Sequence, residues 1–119
     1  MQKLTRKEEE LMKIIWKLEK AFIKDIIEFY PTPKPHYNTI ATIAKTLLDK
    51  GVIGYKQYGN TYQYFPIITE EDYKRSFMNM LVTDYFDDSY KNLVAFFVKE
   101  KGITDDELDE LVKFIKEKR

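Results

Sequence analysis

Residues 37–53 read YNTIATIAKTLLDKGVI, and this stretch decides the architecture of the chain. Ile40, Ile43, Ala44, Leu47 and Leu48 recur at three-and-four spacing, which predicts a helix from Tyr37 to Asp49 with one apolar face. Asn38, Ala41, Thr42 and Lys45 fall on the other face. Solvent-facing helices usually carry long charged side chains outward, so an outer face of small polar residues leaves room for a partner to come close. Gly51 supplies a left-handed stop, and VIGYKQ then begins an extended run. A second run, TYQYFPI, follows Gly59-Asn60, which reads as a hairpin turn with Tyr62 and Tyr64 on one face of the second strand.

Upstream, Thr5 and Glu8 form a capping box that opens a first helix, whose stripe is Leu11, Ile14, Ile15 and Leu18, broadened by Met12 and Trp16. Trp16 reads as core rather than as a stacking platform for a ligand. FIKDIIEFY (residues 22–30) reads as a second, shorter helix that ends at Pro31. The segment PTPKP (31–35) places three prolines in five residues and forms a stiff turn. Two helices, a rigid connection, a presented helix and a hairpin make the order of a winged helix-turn-helix. Residues 1–68 are therefore expected to form a winged-helix DNA-binding domain.

Residues 69–119 read as three further amphipathic helices. Thr69 with Asp72 and Thr104 with Glu107 provide capping pairs, FDDS (86–89) interrupts the first stripe, and Gly102 ends the second. Phe77, Met80 and Leu81 lie on the first stripe, Leu93, Val94 and Phe97 on the second, and Leu108, Leu111, Val112 and Ile115 on the third. Three short helices after a finished domain do not easily make a core of their own, which points to a homodimer. The alternative is a small bundle folding back on the N-terminal domain. The fold class expected is mainly α with a small β-sheet: a winged helix-turn-helix N-terminal domain plus a C-terminal helical dimerisation region.

Composition narrows the function. The 119 residues include no cysteine, which removes disulfides, thiolate metal sites and cysteine nucleophiles. No apolar run approaches the roughly 20 residues that span a bilayer, and MQKLTRKEEE has no apolar signal core, so no membrane insertion and a cytoplasmic location are expected. Formal net charge is zero, but it is segregated: residues 1–66 hold 11 Lys or Arg against 7 Asp or Glu, and residues 67–119 hold 9 against 13.

His36 is the single histidine, and HExxH, GxSxG and phosphate-cradling glycine loops are all absent from the sequence, so no catalytic residue, metal site or cofactor is expected. Asp87-Asp88 and Asp105-Asp106 each precede a helix, where capping explains them better than cation binding. On the presented helix, Thr and Ala suit the thymine methyl, Asn pairs with adenine, and Lys45 reaches guanine or phosphate. His36 at the helix start reads as a cap or a phosphate contact, and Lys56, Tyr58 and Asn60 lie near the hairpin tip, within reach of phosphate or the minor groove. Double-stranded operator DNA is the expected partner. A protein-protein interaction adaptor with the same fold is the alternative.

The segments LTRKEEELMKIIWKLEKAFIKDIIEFY, YNTIATIAKTLLDKGVIGYKQYGNTYQYFPIITEEDY and YKNLVAFFVKEKGITDDELDELVKFI together resemble the penicillinase-repressor family, the BlaI/MecI/CopY transcriptional repressors. The opening E-x-x-x-M-x-I-I-W helix and the N-T-I-x-T segment carry the resemblance most specifically. It implies a winged domain on operator DNA, a recognition helix bearing Tyr37, Asn38, Thr39, Thr42 and Lys45, and dimerisation through the C-terminal helices. In the β-lactam-responsive branch a membrane sensor-protease system cuts an Asn-Phe bond in the middle C-terminal helix. The matching residues here are Phe96-Phe97, so the Asn is replaced. The copper-responsive branch ends in a cysteine-rich metal motif, from which this cysteine-free chain departs.

Overall fold

The structure is a computed structural model; it describes residues 3–117, with side chains described to residue 113. Helix α1 (Arg6–Leu18) starts at Thr5, whose Oγ1 accepts the Glu8 amide at 3.2 Å while Glu8 Oε1 accepts the Thr5 amide at 2.7 Å. Both orphan donors of the capping box are thereby satisfied, a device worth about 1 kcal/mol. Leu11, Met12 and Ile15 are fully buried. Trp16 packs against the core and donates its Nε1–H to the Ile68 carbonyl at 2.9 Å, a structural role.

The second element differs from the helix expected over residues 22–30. Ala21–Phe22 form a short strand, β1, paired with Tyr64 and Gln63, and only Ile23–Ile27 are helical (α2). Ladder hydrogen bonds claim the backbone that the helix would need for its first turn. At the far end Lys34 Nζ donates to the carbonyls of Glu28 (2.9 Å) and Tyr30 (2.8 Å), so the proline-rich turn itself closes the segment.

Helix α3 (Tyr37–Asp49) buries Ile40, Ala44 and Leu47, with Ile43 and Leu48 half-buried beside them. Its end is a Schellman motif: Gly51, at φ +74°, sends its N–H to Leu48 O (3.0 Å), and Val52 sends its N–H to Leu47 O (3.3 Å). Strands β2 (Ile53–Tyr58) and β3 (Thr61–Pro66) then form the hairpin, giving an antiparallel sheet in the order β1-β3-β2. Register puts Ile53, Tyr55, Gln57, Tyr62 and Tyr64 on one face and Gly54, Lys56, Tyr58, Gln63 and Phe65 on the other. At Gly54 a Cβ would lie 2.6 Å from the Phe65 ring, so any other residue there would make that half-buried ring swing aside. Gly59, at φ +58°, opens the two-residue turn.

These elements enclose one core of Leu11, Met12, Ile15, Ile26, Ile40, Leu47 and Ile53, among others. Each such side chain contributes roughly 1.5–3 kcal/mol relative to exposure, so the inner face of α3 is held mainly by burial. Three helices, a strand-paired wing and this core make a winged helix.

Helices α4 (Glu70–Tyr85), α5 (Tyr90–Lys101) and α6 (Asp105–Glu117) follow, and the chain divides into two compact units between Ser76 and Phe77, inside α4. The first turns of α4 thus belong with the winged unit, where Tyr73 is buried against the tilted Trp16 ring at 5.5 Å and hydrogen-bonds Glu9. Thr69 caps α4 through the Asp72 amide (3.0 Å), but the Asp72 carboxylate pairs with Arg75 instead of reaching back. Asp87 and Asp88 do not cap α5 as expected. They occupy left-handed conformations, Asp88 accepts the Thr83 hydroxyl at 2.6 Å, and Ser89 caps the helix through the Asn92 amide. Asp105 and Asp106 do lie in the first turn of α6, behind Thr104, which accepts the Glu107 amide at 3.2 Å.

Candidate nucleic-acid interface

The exposed face of α3 carries Tyr37, Asn38, Thr39, Thr42 and Lys45, all open to solvent, with Ala41 half-buried between them. Its N-terminal turn contains no acidic residue, and His36 occupies the N-cap position, exposed and without a side-chain hydrogen bond to the helix. The cap expected of His36 is therefore positional only. The helix thus places no carboxylate of its own against its first-turn amides and the positive end of its dipole. Thr42 Oγ1 donates to the Asn38 carbonyl at 2.9 Å, which spends its proton inside the helix and leaves oxygen lone pairs and the methyl for an outside partner.

Beside this face the hairpin forms the wall of a cleft of about 300 Å³, lined by Ile23, Tyr37, Ala41, Gln57, Asn60, Tyr62 and Tyr64. Asn60 and Tyr37 therefore meet across one groove. Lys56 and Tyr58 do not join it. Strand parity places them on the opposite face of the hairpin, where Lys56 Nζ lies 5.3 Å from the Tyr58 ring and Phe22 meets that ring edge-on at 5.7 Å. Tyr55 and Tyr62 stack at 4.2 Å on the cleft side and stiffen the ribbon. Burial pushes the Tyr64 hydroxyl pKa up, with Tyr37, Tyr62 and Tyr55 adding to it, so this phenol remains a neutral donor at ordinary pH.

Gln57 escaped sequence reasoning, although counting by twos from Tyr55 places it on the cleft face. Lys50 escaped too. It lies at the C-cap of α3 and its Nζ donates to Glu8 Oε1 at 2.6 Å and to the Lys3 carbonyl at 3.1 Å. Burial alone would raise the pKa of Glu8, but the Lys50, Thr5 and Thr46 hydrogen bonds and the Lys50 charge hold it down to about 2.

In the second unit, Val94, Phe97, Leu111 and Val112 are exposed apolar side chains, and Phe77 is also exposed. Met80, Leu81 and Leu108 are half-buried and Leu93 is buried, while the side chain of Ile115 lies outside the described residues. An apolar groove of about 610 Å³ between α5 and α6 is lined by Tyr90, Lys91, Val94, Ala95, Val98, Lys99 and Leu108. Phe96 and Phe97 sit in the middle of α5, 49% and 38% exposed, with their rings edge-on at 5.9 Å. No helix among the described residues is long and apolar enough to cross a membrane.

The sequence model of the penicillinase repressor family matches residues 4–117. The methicillin resistance regulatory protein MecI of Staphylococcus aureus (strain N315) is 29% identical over 110 residues, covering 92% of this chain and 89% of the relative. MecI of Mammaliicoccus sciuri is 28% identical over the same length, and the penicillinase repressor of Bacillus licheniformis is 26% identical over 109 residues, covering 91% and 85%. These relatives are named as regulators and repressors, not as enzymes. A winged helix with a helical C-terminal unit, matched along nearly its whole length, belongs to the penicillinase repressor family of transcriptional repressors.

Proposed function

We propose that the protein acts as a homodimer that inserts one α3 per subunit into successive major grooves of a two-fold-related operator and thereby blocks transcription. The observation that carries this reading is the outer face of α3, where Asn38, Thr39, Thr42 and Lys45 are exposed with no carboxylate before Asp49. Asn, Thr and Lys offer the donors, acceptors and methyl groups that match base edges in the major groove. Tyr37, Asn60 and His36 flank this face at the phosphate backbone, while Lys56 and Tyr58 meet phosphate from the outer side of the wing. The apolar faces of α5 and α6 pair with those of a second copy, in cytoplasm, and a cut by a membrane sensor-protease system at Phe96-Phe97 would divide α5 and release the operator.

Replacing Thr42 by Ala should lower discrimination between the selected operator and random duplex by about 1–3 kcal/mol, or roughly 5- to 150-fold. Replacing Lys56 by Ala should weaken binding to both duplexes equally and reduce the salt slope by about one. Titration of both DNAs at several salt concentrations measures this. Indistinguishable effects of the two substitutions on the two duplexes would refute the division of roles.

A further inference from the structure

The α3 helix carries its reading residues in its N-terminal two-thirds and is tied down by polar contacts at its opposite end. Lys50, at the C-cap, reaches across to α1 and to the segment before it: Nζ donates to Glu8 Oε1 at 2.6 Å and to the Lys3 carbonyl at 3.1 Å. The same Glu8 oxygen accepts the Thr5 amide at 2.7 Å, so the tie ends on the capping box rather than on a mobile surface carboxylate. Glu8 is only 4% exposed. The apolar contacts of Ile40, Ala44 and Leu47 lie in one row along the middle of the helix, and such contacts resist separation better than they resist rocking, because burial is non-directional. A charge-assisted hydrogen bond is directional.

We infer that Lys50 is a positioning residue for DNA reading: anchored on Glu8 and the Lys3 carbonyl, it sets the tilt of α3 and with it the approach of Asn38, Thr39 and Thr42 to the bases. The inference rests on the operator-reading role given to α3 under Proposed function. Geometry gives the leverage. A helix of 13 residues is about 20 Å long, and a tilt of ~5° moves its far end by about 2 Å, enough to break a base hydrogen bond that tolerates only a few tenths of an ångström. Loss of the anchor should therefore cost sequence discrimination while leaving phosphate attraction intact.

The test uses the full chain and a duplex enriched by the wild-type protein from a randomised pool, compared with a random duplex. Lys50→Met alone strands the Glu8 charge, so the informative protein is the Glu8→Gln/Lys50→Met double variant, which leaves no buried ion unpaired. Binding is measured where circular dichroism shows each protein fully folded. The expected result is a loss of tenfold or more in the ratio of selected to random affinity, random-duplex affinity within about twofold of wild type, and retention of the ratio by Lys50→Arg. A purely structural role predicts that the folded double variant keeps the wild-type ratio, and that outcome overturns the inference, as does a Lys50→Arg protein that loses as much as the double variant. A wild type that enriches no sequence overturns the operator reading itself, and this inference with it.

Discussion

Replacing Lys50 by Met is expected to destabilise the winged unit by about 3–5 kcal/mol, because it leaves the Glu8 carboxylate buried with its counter-charge removed. Thermal unfolding should shift down by roughly 10 °C or more. The double Glu8→Gln/Lys50→Met variant should recover most of that loss, since no charge is then stranded. The same pair predicts an acid dependence. The Lys50, Thr5 and Thr46 hydrogen bonds hold the Glu8 carboxyl down to about 2 in the folded protein against its ordinary 4.5, so its contribution is complete above pH 4.5 and is lost as pH falls from there toward 2. The amount at stake is on the order of 3 kcal/mol. Denaturant unfolding of wild type and Glu8→Gln between pH 7 and pH 2 measures it: the two curves should converge at the acid end, and parallel curves would show that the pair contributes nothing through ionisation.

A second large effect is expected in the helical unit. Val94 on α5 and Leu111 on α6 are 41% and 45% exposed, so an aspartate at either position is tolerated by the single chain. Within a proposed subunit interface the same aspartates would be desolvated without partners. Val94→Asp/Leu111→Asp should therefore sediment as a folded monomer. Operator affinity should fall on the order of 100-fold or more, because two half-sites bound through one dimer gain from effective concentration and a monomer does not. Retention of the dimer by this variant would place the interface elsewhere.

The residues that were legible in the sequence are those whose signal is local. The three-and-four spacing from Ile40 to Leu48 located the inner face of α3, Thr5 and Glu8 announced their capping box, and Gly59-Asn60 marked the hairpin. Strand β1 was not legible, because two residues carry no period and Ala21 and Phe22 become a strand only by pairing with β3. Asp87 and Asp88 look like caps by position, yet Ser89, one residue nearer the helix, is the better-placed acceptor. Lys50 was invisible for a different reason. Its partner lies 42 residues away, and a capping-box glutamate gives no sign in sequence that it will be buried. The candidate interface divides in the same way: helix periodicity found the α3 face, whereas the separation of Lys56 and Tyr58 from Asn60 depends on strand register.

The central claim is that α3 reads base sequence as one half of a two-fold pair. Selection of duplexes from a randomised pool by the full-length protein, followed by footprinting of the enriched sites, tests it directly. The expected result is a site of two inverted half-sequences centred about one helical turn, or a multiple of it, apart, with major-groove protection in each half and protection lost at individual bases when Asn38 or Thr42 is replaced. Enrichment of no sequence, or of a single unpaired half-site still bound by a dimer, would contradict it.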